Sequence, residues 1–411
     1  MQRSFTALFA LTFIFGLTFI FGLISLIYPA KSEATPNFAR QQGLACSTCH
    51  TSWPLLNDFG RAFLENGYAV GNVEKIPPRL VAQKDIPVPA LRVTLSLFDK
   101  SSSQDRTYDT LTEEDKQLKM RAMNRISALF ADRVGSFYYF MEFESEAEPN
   151  PARDEAGLQI QVPMAHVGWV FSPQFSVRAG FMSPLSPDGR NTVAQKKVQR
   201  YGWSASGKEF VPVTTQAISA YGNIGNAFYI LSWHGQDGGL EGQDPKFFTG
   251  RLAYDLPFNV SIGGFYSSGK KYNEDIGKSE DKLNRYGVDL QWQTEDGFQL
   301  NALYAVKSED ETTMNETTGA SSQAEATDNN LSVYAQYIIA GAEKPMASIG
   351  ANYDSYTMND GDDDWTRGAL FLTYFARENV KVQFGWESTL DAPERYTNKE
   401  SRYTFMVDIG I

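Results

Sequence analysis

The chain has 411 residues, a formal net charge of −12, and 33 Gly, 28 Phe, 20 Tyr and 7 Trp against only 2 Cys and 3 His. So few cysteines exclude a disulfide scaffold and argue against a structural metal site built from four Cys and His ligands. The acidic balance argues against nucleic acid as a partner, because binding to a phosphate backbone depends on clustered Lys and Arg. The mean hydropathy is negative. A soluble all-β protein and a membrane barrel remain as candidates.

The N-terminus predicts export. An apolar run over residues 7–28 follows Arg3 and precedes Ser32-Glu33-Ala34, a small-x-small cleavage pattern. We predict a secretory signal peptide over residues 1–34. The run is also long enough to span a bilayer, so an uncleaved anchor is the alternative. In an oxidising compartment two nearby cysteines form a disulfide unless another reaction uses them.

A haem-attachment motif begins a dozen residues later. Cys46-Ser47-Thr48-Cys49-His50 is C-x-x-C-H, in which both thiols bond to one porphyrin and the adjacent histidine ligates the iron. We therefore predict one covalent haem c on Cys46 and Cys49, with His50 as the proximal axial ligand. A thioredoxin-like C-x-x-C with an incidental histidine is the alternative, but it requires a βαβ context that the sequence does not display.

The haem module is predicted to span residues 35–89. Residues 54–64 predict a short helix that begins with proline in its first turn. Leu56, Phe59 and Phe63 share one face of the helix and are expected either to pack on the porphyrin or to form a small core. A module of this length buries too little surface to shield a haem alone. We expect it to use walls, and a ligand, from the rest of the chain.

The second axial ligand is not evident near the motif, since no Met or His lies between Thr51 and Lys119. The phase of the predicted strands makes four lumen-facing residues candidates for the distal ligand: Met123, Met182, Met406 and His234. His166 is a further candidate, because it follows Pro163, where a bulge could reverse the direction in which its side chain points. Each of these residues alone is more often structural than a ligand.

Residues 90–411 alternate apolar and polar side chains in short segments, a two-residue period typical of strands between an apolar and a wet environment. The last segment, residues 403–411, has the form of a barrel-closing strand. We predict an all-β fold, an antiparallel outer-membrane barrel of about sixteen strands with a lumen. Segments are predicted to start near Leu91, Lys119, Ser136, Leu158, Phe175, Phe210, Ala227, Phe247, Val260, Arg285, Phe298, Asn330, Met346, Trp365, Val380 and Ser401.

Connection lengths support the barrel, because long and short connections alternate along the chain. Outer-membrane barrels have long external loops and short periplasmic turns. Four connections are predicted to be long: residues 99–116, 182–209, 269–284 and 309–329. The polar face, expected to line the lumen, carries Arg92, Arg121, Arg125, Arg178, Arg251, Arg285, Asp289, Lys307, Asp354, Lys381, Glu387, Arg402 and Asp408.

The motif and its flanks resemble the fused monohaem cytochrome-porins of the bacterial outer membrane, whose best-known members are iron oxidases. The resemblance covers about thirty residues, from ARQQGLACSTCH at 39–50 through Pro54, Phe59-Gly60-Arg61 and Phe63 to Asn66-Gly67-Tyr68. Gln42 departs from the Thr of the family pattern. The resemblance implies a haem within or at the mouth of a barrel, taking electrons from extracellular Fe(II) and delivering them to periplasmic carriers.

Three functions follow as hypotheses. The first is an outer-membrane cytochrome of Gram-negative bacteria that oxidises extracellular Fe(II) and reduces a periplasmic cytochrome. The second is a conduit that exports electrons, although only one haem motif is present. The third is a transport porin whose haem sits in a plug. Acidic residues in two predicted external loops are expected either to concentrate Fe(II) or to be solvated and bridged to lipopolysaccharide by divalent cations: Glu309, Asp310, Glu311, Glu316, Glu325 and Asp328 in one, and Asp360, Asp362, Asp363 and Asp364 in the other.

Overall fold

The structure of the protein is a computed structural model. It describes residues 46–52, 55–69, 90–107, 110–148, 157–185, 210–212, 214–235, 247–273, 278–294, 296–314, 321–339, 346–358, 363–377, 380–391 and 401–410. The predicted signal peptide and residues 35–45, 53–54 and 70–89 of the predicted haem module lie outside these ranges. Among the described residues, no helix is both long and apolar enough to cross a membrane.

The N-terminal segment is a short α/β unit. It consists of helix α1 (Cys46–Cys49), strands β1 (His50–Ser52) and β2 (Leu55–Leu56), which pair antiparallel, and helix α2 (Asp58–Glu65). Asn57 caps α2, since its side-chain oxygen accepts a hydrogen bond from the Gly60 amide at 2.9 Å. The predicted helix is confirmed, although it begins at Asp58 rather than at Pro54.

Sixteen further strands form one closed antiparallel barrel within the described residues. Each strand pairs with its neighbours in sequence, and β18 pairs with β3 to close the ring. Closure satisfies every strand edge, as a wall surrounded by lipid requires. The sixteen-stranded prediction is confirmed. The strands are β3 (Ala90–Thr107), β4 (Thr110–Val134), β5 (Phe137–Glu148), β6 (Gly157–Ser172), β7 (Phe175–Met182), β8 (Thr215–Ile224), β9 (Ala227–His234), β10 (Phe247–Leu256), β11 (Val260–Asn273), β12 (Lys278–Gln293), β13 (Phe298–Met314), β14 (Ser321–Ile339), β15 (Ala347–Met358), β16 (Asp363–Arg377), β17 (Val380–Asp391) and β18 (Ser401–Gly410).

The barrel is apolar outside and polar inside. On β10, Phe248, Leu252 and Tyr254 are each more than half exposed on the outer face, whereas Arg251 is 3% exposed on the inner face. Aromatic side chains also cluster at the end of the barrel where the turns are short: Trp169, Phe171 and Phe175 form a contiguous group around one such turn. This distribution is that of a transmembrane barrel with an interfacial aromatic girdle.

The predicted lumen-facing charges are largely where the strand phase places them. Eight of them are buried inside the barrel: Arg178, Arg251, Arg285, Asp289, Asp354, Lys381, Glu387 and Asp408. Lys307 and Arg402 are partly buried, and the side chains of Arg92, Arg121 and Arg125 lie outside the described residues. The two-residue period predicted this face correctly because strand geometry sends alternate side chains to opposite faces.

The predicted long connections are mostly wrong as loops. The predicted loops over residues 99–116, 269–284 and 309–329 are instead extensions of the hairpins. Strands β3 and β4 run to Thr107 and from Thr110, β11 and β12 run to Asn273 and from Lys278, and β13 and β14 run to Met314 and from Ser321. Beyond the apolar band both faces of a hairpin meet water, so the apolar alternation ends while the backbone ladder continues.

One connection stays long and folds into the barrel. Phe210, predicted to start a strand, instead lies in the β7–β8 connection with Leu185 and Val211, and all three are at most 1% exposed. They pack against β11, β13 and β15, on the far side of the lumen from β7 and β8. The strand prediction failed here because apolar residues that cross a lumen resemble a buried strand in composition.

Candidate functional site

The C-x-x-C-H motif occupies one helical turn and the strand that follows it. Cys46 and Cys49 begin and end α1, three residues apart, and His50 is the first residue of β1. Residues at i and i+3 share a helix face. Asn57 closes the turn, because its amide donates to the Cys49 carbonyl at 2.9 Å and its side chain donates to the Thr48 carbonyl at 3.1 Å.

This arrangement fits a covalently attached haem. Two thiols on one face of one turn can bond to one edge of a porphyrin, and a histidine next in the chain can reach its iron. Cys49 is not in a disulfide and is half-buried, and burial raises the pKa of its thiol. The side chains of Cys46 and His50 lie outside the described residues.

Helix α2 and the residues after it are inside the barrel. Phe63 and Tyr68 are 7% exposed and pack in one cluster with Ala131, Tyr138 and Val170 on the inner faces of β4, β5 and β6. The Tyr68 ring meets the Tyr138 ring edge-on, with 5.6 Å between centroids. Burying Phe63 alone contributes about 1.5 to 3 kcal/mol. The residues of the predicted apolar face therefore have different environments. Phe63 packs on the barrel wall, whereas Phe59 is 38% exposed.

Polar contacts hold the C-terminal end of α2 against the wall. The Arg133 guanidinium donates hydrogen bonds to the carbonyls of Asn66 and Gly67, and the Asn223 side chain donates to the Glu65 carboxylate at 2.8 Å. Arg133 and Asn223 both lie beside short turns of the barrel. The N-terminal segment therefore enters the lumen from the short-turn end, which in an outer-membrane barrel faces the periplasm.

The backbone after α2 turns sharply where it meets the wall. Gly67 has φ +62° and Tyr68 has φ +64°, a left-handed conformation that is unusual for a tyrosine. This turn directs the Tyr68 ring into the cluster with Phe63 and Tyr138. A Cβ atom on Gly67 would lie 2.6 Å from Tyr138 Cδ1 and 2.8 Å from Val170 Cγ2.

We predict that Gly67→Ala displaces the N-terminal segment from the wall. Gly135→Ala is a matched control, because Gly135 has φ +60° but no atom lies within 4 Å of the position of its Cβ. Both variants carry the left-handed cost of about 1–2 kcal/mol, and only Gly67→Ala adds the clash. We expect faster proteolysis of residues 46–69 in Gly67→Ala than in Gly135→Ala. Equal proteolysis rates would contradict the close packing.

The four predicted candidates for the distal ligand are not brought together. Met182 is fully buried at the end of β7 beside the inward connection, and Met406 packs with Ala369 and Phe371 on another part of the wall. His234 is 1% exposed, and both ring nitrogens are hydrogen-bonded, Nδ1 with the Gly235 carbonyl and Nε2 with the Thr249 hydroxyl, each at 2.7 Å. Those bonds would have to break before His234 bound iron. The side chain of Met123 lies outside the described residues.

His166 faces the lumen because of a bulge. In β6 the pairing moves from Glu144 with Gln161 to Glu142 with Met164, so β6 has one residue more than β5 over this stretch. The bulge contains Pro163, which fits a position where a ladder hydrogen bond is absent. His166 is 7% exposed and lies on the same inner face as Tyr138 and Phe140.

The acidic residues of the predicted loops form no evident cation site. Lys307 Nζ is 2.9 Å from Asp328 and 3.6 Å from Glu309. Glu325 and Asp364 each accept a hydrogen bond from a neighbouring hydroxyl. Within the described part of the chain, no group of three His, Cys, Asp or Glu residues is placed to hold a metal ion. Glu316, Asp360 and Asp362, and the side chains of Glu311 and Asp363, lie outside it.

Solved structures share this architecture. OmpF of Salmonella typhi, solved in complex with daunomycin, aligns with a TM-score of 0.55 at 14% identity over 78% of this chain and 97% of its own. The anion-selective porin of Comamonas acidovorans gives 0.53 at 11% identity over 78% and 98%. OprB of Pseudomonas putida gives 0.53 at 13% identity over 79% and 94%. The barrel has the porin fold. No family model and no curated protein matches the chain.

Proposed function

We propose that this chain is an outer-membrane electron-transfer protein that binds one haem c through Cys46, Cys49 and His50 inside a porin-type barrel. The observation that carries the proposal is the position of α2, whose Phe63 and following Tyr68 pack on the inner wall of the barrel. A redox centre next to this helix would lie within a structure that crosses the membrane.

The chain's own residues would hold and shield the group. Cys46 and Cys49 would attach it, His50 would ligate its iron, and Phe59 offers an apolar ring that is 38% exposed beside the motif. Arg133 and Asn223 fix the helix that follows. The chemistry that a bound c-type haem supplies is reversible one-electron transfer at its iron.

We propose extracellular Fe(II) as the electron donor and a periplasmic cytochrome as the acceptor. In the net reaction Fe(II) loses one electron and becomes Fe(III), and the acceptor gains that electron. Ferric iron is insoluble near neutral pH, so oxidation at the outer membrane keeps the product outside the cell. The resemblance of residues 39–68 to iron-oxidising cytochrome-porins supports this donor.

The test is an anaerobic titration of purified protein. After chemical oxidation, Fe(II) is added near neutral pH and the haem absorbance is followed. We expect reduction of the haem in proportion to added Fe(II) up to one electron per chain. A haem that stays oxidised in excess Fe(II) would contradict the proposed donor. Mn(II), a divalent cation that does not reduce a c-type haem, is the control for absorbance changes caused by cation binding alone.

A transport porin with a haem-bearing plug is the second candidate, and the likeness of the barrel to porins favours it. This function requires a continuous path for solutes past α2 and the inward β7–β8 connection. Single-channel conductance in planar bilayers distinguishes the two candidates. Open-channel conductance that is the same with oxidised and reduced protein supports the transport porin, and a closed barrel that still reduces its haem with Fe(II) supports electron transfer.

A further inference from the structure

His166 lies in an aromatic pocket on the inner wall of the barrel. Its ring stacks on Phe140, with centroids 5.6 Å apart and an interplanar angle of 20°, and meets the edge of Tyr138 at 6.0 Å. The residue is 7% exposed. These two ring contacts restrict the imidazole to one orientation, since packed rings in a protein interior occupy single rotamers.

The Nδ1 atom of His166 is buried and has no hydrogen-bond partner among the described residues. Other side chains of the inner wall, such as Arg178 and Gln383, also have a buried polar atom without a partner, and of these groups only an imidazole is a common ligand of haem iron. His234, the other barrel histidine, is satisfied at both nitrogens. The two histidines therefore differ in hydrogen bonding. Both ring nitrogens of His234 have partners, whereas Nδ1 of His166 has no partner among the described residues.

The pocket adjoins the inserted N-terminal segment. Tyr68, which follows α2, stacks on Phe140 at 6.3 Å and meets Tyr138 at 5.6 Å, so the two rings that hold His166 also contact this segment. Strand pairing puts Phe140 directly opposite His166 on β5. No other barrel histidine contacts this cluster within the described residues.

Glycine on the neighbouring strand fixes the position of His166. Gly180 of β7 is paired with it and has φ +141°, and a Cβ atom on Gly180 would collide with the Ala165 carbonyl and with the His166 backbone. Gly168 of β6 likewise leaves the space that the Tyr138 ring occupies. Because both positions lack a side chain, Gly180 allows the close approach of His166, and Gly168 leaves room for the Tyr138 ring.

We propose that His166 is the distal axial ligand of the haem iron. This inference rests on the proposed function, because it requires a haem on Cys46 and Cys49. His50 and His166 would then both hold the iron, each through one ring nitrogen. The chain has three histidines, and two of them would be ligands while the third is a structural residue of the wall. Iron ligation would fasten the N-terminal segment to β6.

Ligation by two histidines has a spectroscopic consequence. A haem with two imidazole ligands is six-coordinate and low-spin, and its reduction potential is lower than that of a haem with one His and one Met, because thioether ligation raises the potential. The first measurement is the covalent haem content of the wild-type protein by the pyridine haemochrome assay. The second is its electron paramagnetic resonance spectrum in the oxidised state, which we expect to be low-spin.

His166→Ala tests the ligand directly, with His234→Ala as the matched control. We expect His166→Ala to keep its covalent haem, to become largely high-spin, and to return to low-spin on addition of free imidazole. His234→Ala is expected to remain low-spin. Heat-modifiable migration on gels checks that each barrel is folded. His166→Met, which retains an iron ligand of similar length, is a second variant in case His166→Ala does not fold, and we expect it to stay low-spin with a raised potential.

The outcomes separate the two proposals. If the wild-type protein carries no covalent haem, the proposed function fails and the ligand assignment fails with it. If the haem is attached but is high-spin in the wild type, or if neither His166 variant alters the spectrum or the potential, His166 is not the ligand while the proposed function stands. A change to high-spin in His234→Ala alone would assign the ligand to His234 instead.

Discussion

A Cys46→Ala/Cys49→Ala variant is expected to lose all covalently attached haem and to keep a folded barrel. Both thioether bonds require these thiols, and no other cysteine in the chain can replace them. The barrel should persist because its closure depends on the pairing of β18 with β3, which the motif does not contact. Fe(II)-dependent electron transfer to a soluble cytochrome should fall to the rate measured without protein.

The measurements for this variant are haem staining of a denaturing gel and heat-modifiable migration. Ser47→Ala/Thr48→Ala is the control, since it changes the same helical turn and retains C-x-x-C-H. We expect the control to keep its full haem content. Haem that survives denaturation in the double cysteine variant would show that the motif is not the attachment site.

The second large effect is expected at a buried ion pair on the inner wall. Arg251 of β10 and Asp289 of β12 face each other with side chains that are 0% and 1% exposed, and their guanidinium and carboxylate form two hydrogen bonds. Gly263 of β11 lies between them, and a Cβ atom there would meet Asp289 Oδ2 at 2.8 Å. Asp289→Ala leaves the Arg251 charge buried without its carboxylate, which costs about 3–5 kcal/mol.

The check is equilibrium unfolding by urea in lipid vesicles. The double variant Arg251→Met/Asp289→Leu should unfold much closer to wild type than Asp289→Ala, because replacing both members of a buried pair by apolar groups is often nearly neutral. Ser308→Ala, which removes only an exposed hydrogen bond to Glu325, should change the free energy of unfolding by less than about 0.5 kcal/mol. If Asp289→Ala behaves like Ser308→Ala, water in the lumen solvates Arg251 and the pair contributes little.

Much of the barrel could be predicted from the sequence because strand periodicity is local. Tyr286 and Val288 alternate with Arg285 and Asp289 along one segment, and the structure places the first pair outside and the second inside. The same reasoning failed at Phe210, whose neighbours in space come from strands more than fifty residues away in the chain. The sequence around an apolar residue that packs across a lumen can be as apolar as the sequence around one that faces lipid, so composition does not distinguish them.

The ligand candidates illustrate the same limit. Strand phase placed Met182, Met406 and His234 on the inner face, and all three are buried there. Phase alone carries no information on height along the barrel or on which strands meet the N-terminal segment. The facing of His166 depends on a single extra residue near Pro163, which reverses every side chain after it.

The sequence by itself determined the chemistry of the motif and the architecture of the wall. Thiol spacing in Cys46–Cys49 and a two-residue period are properties of neighbouring residues, and backbone geometry converts them directly into one helical turn and a strand. Only the tertiary structure decided that α2 enters the lumen, that Tyr68 meets Tyr138 and Phe140, and that His166 lies beside them with an unpaired nitrogen. Those contacts join Tyr68, which follows α2, with β5 and β6, and they arise from strand register and barrel closure, which are set by the whole chain.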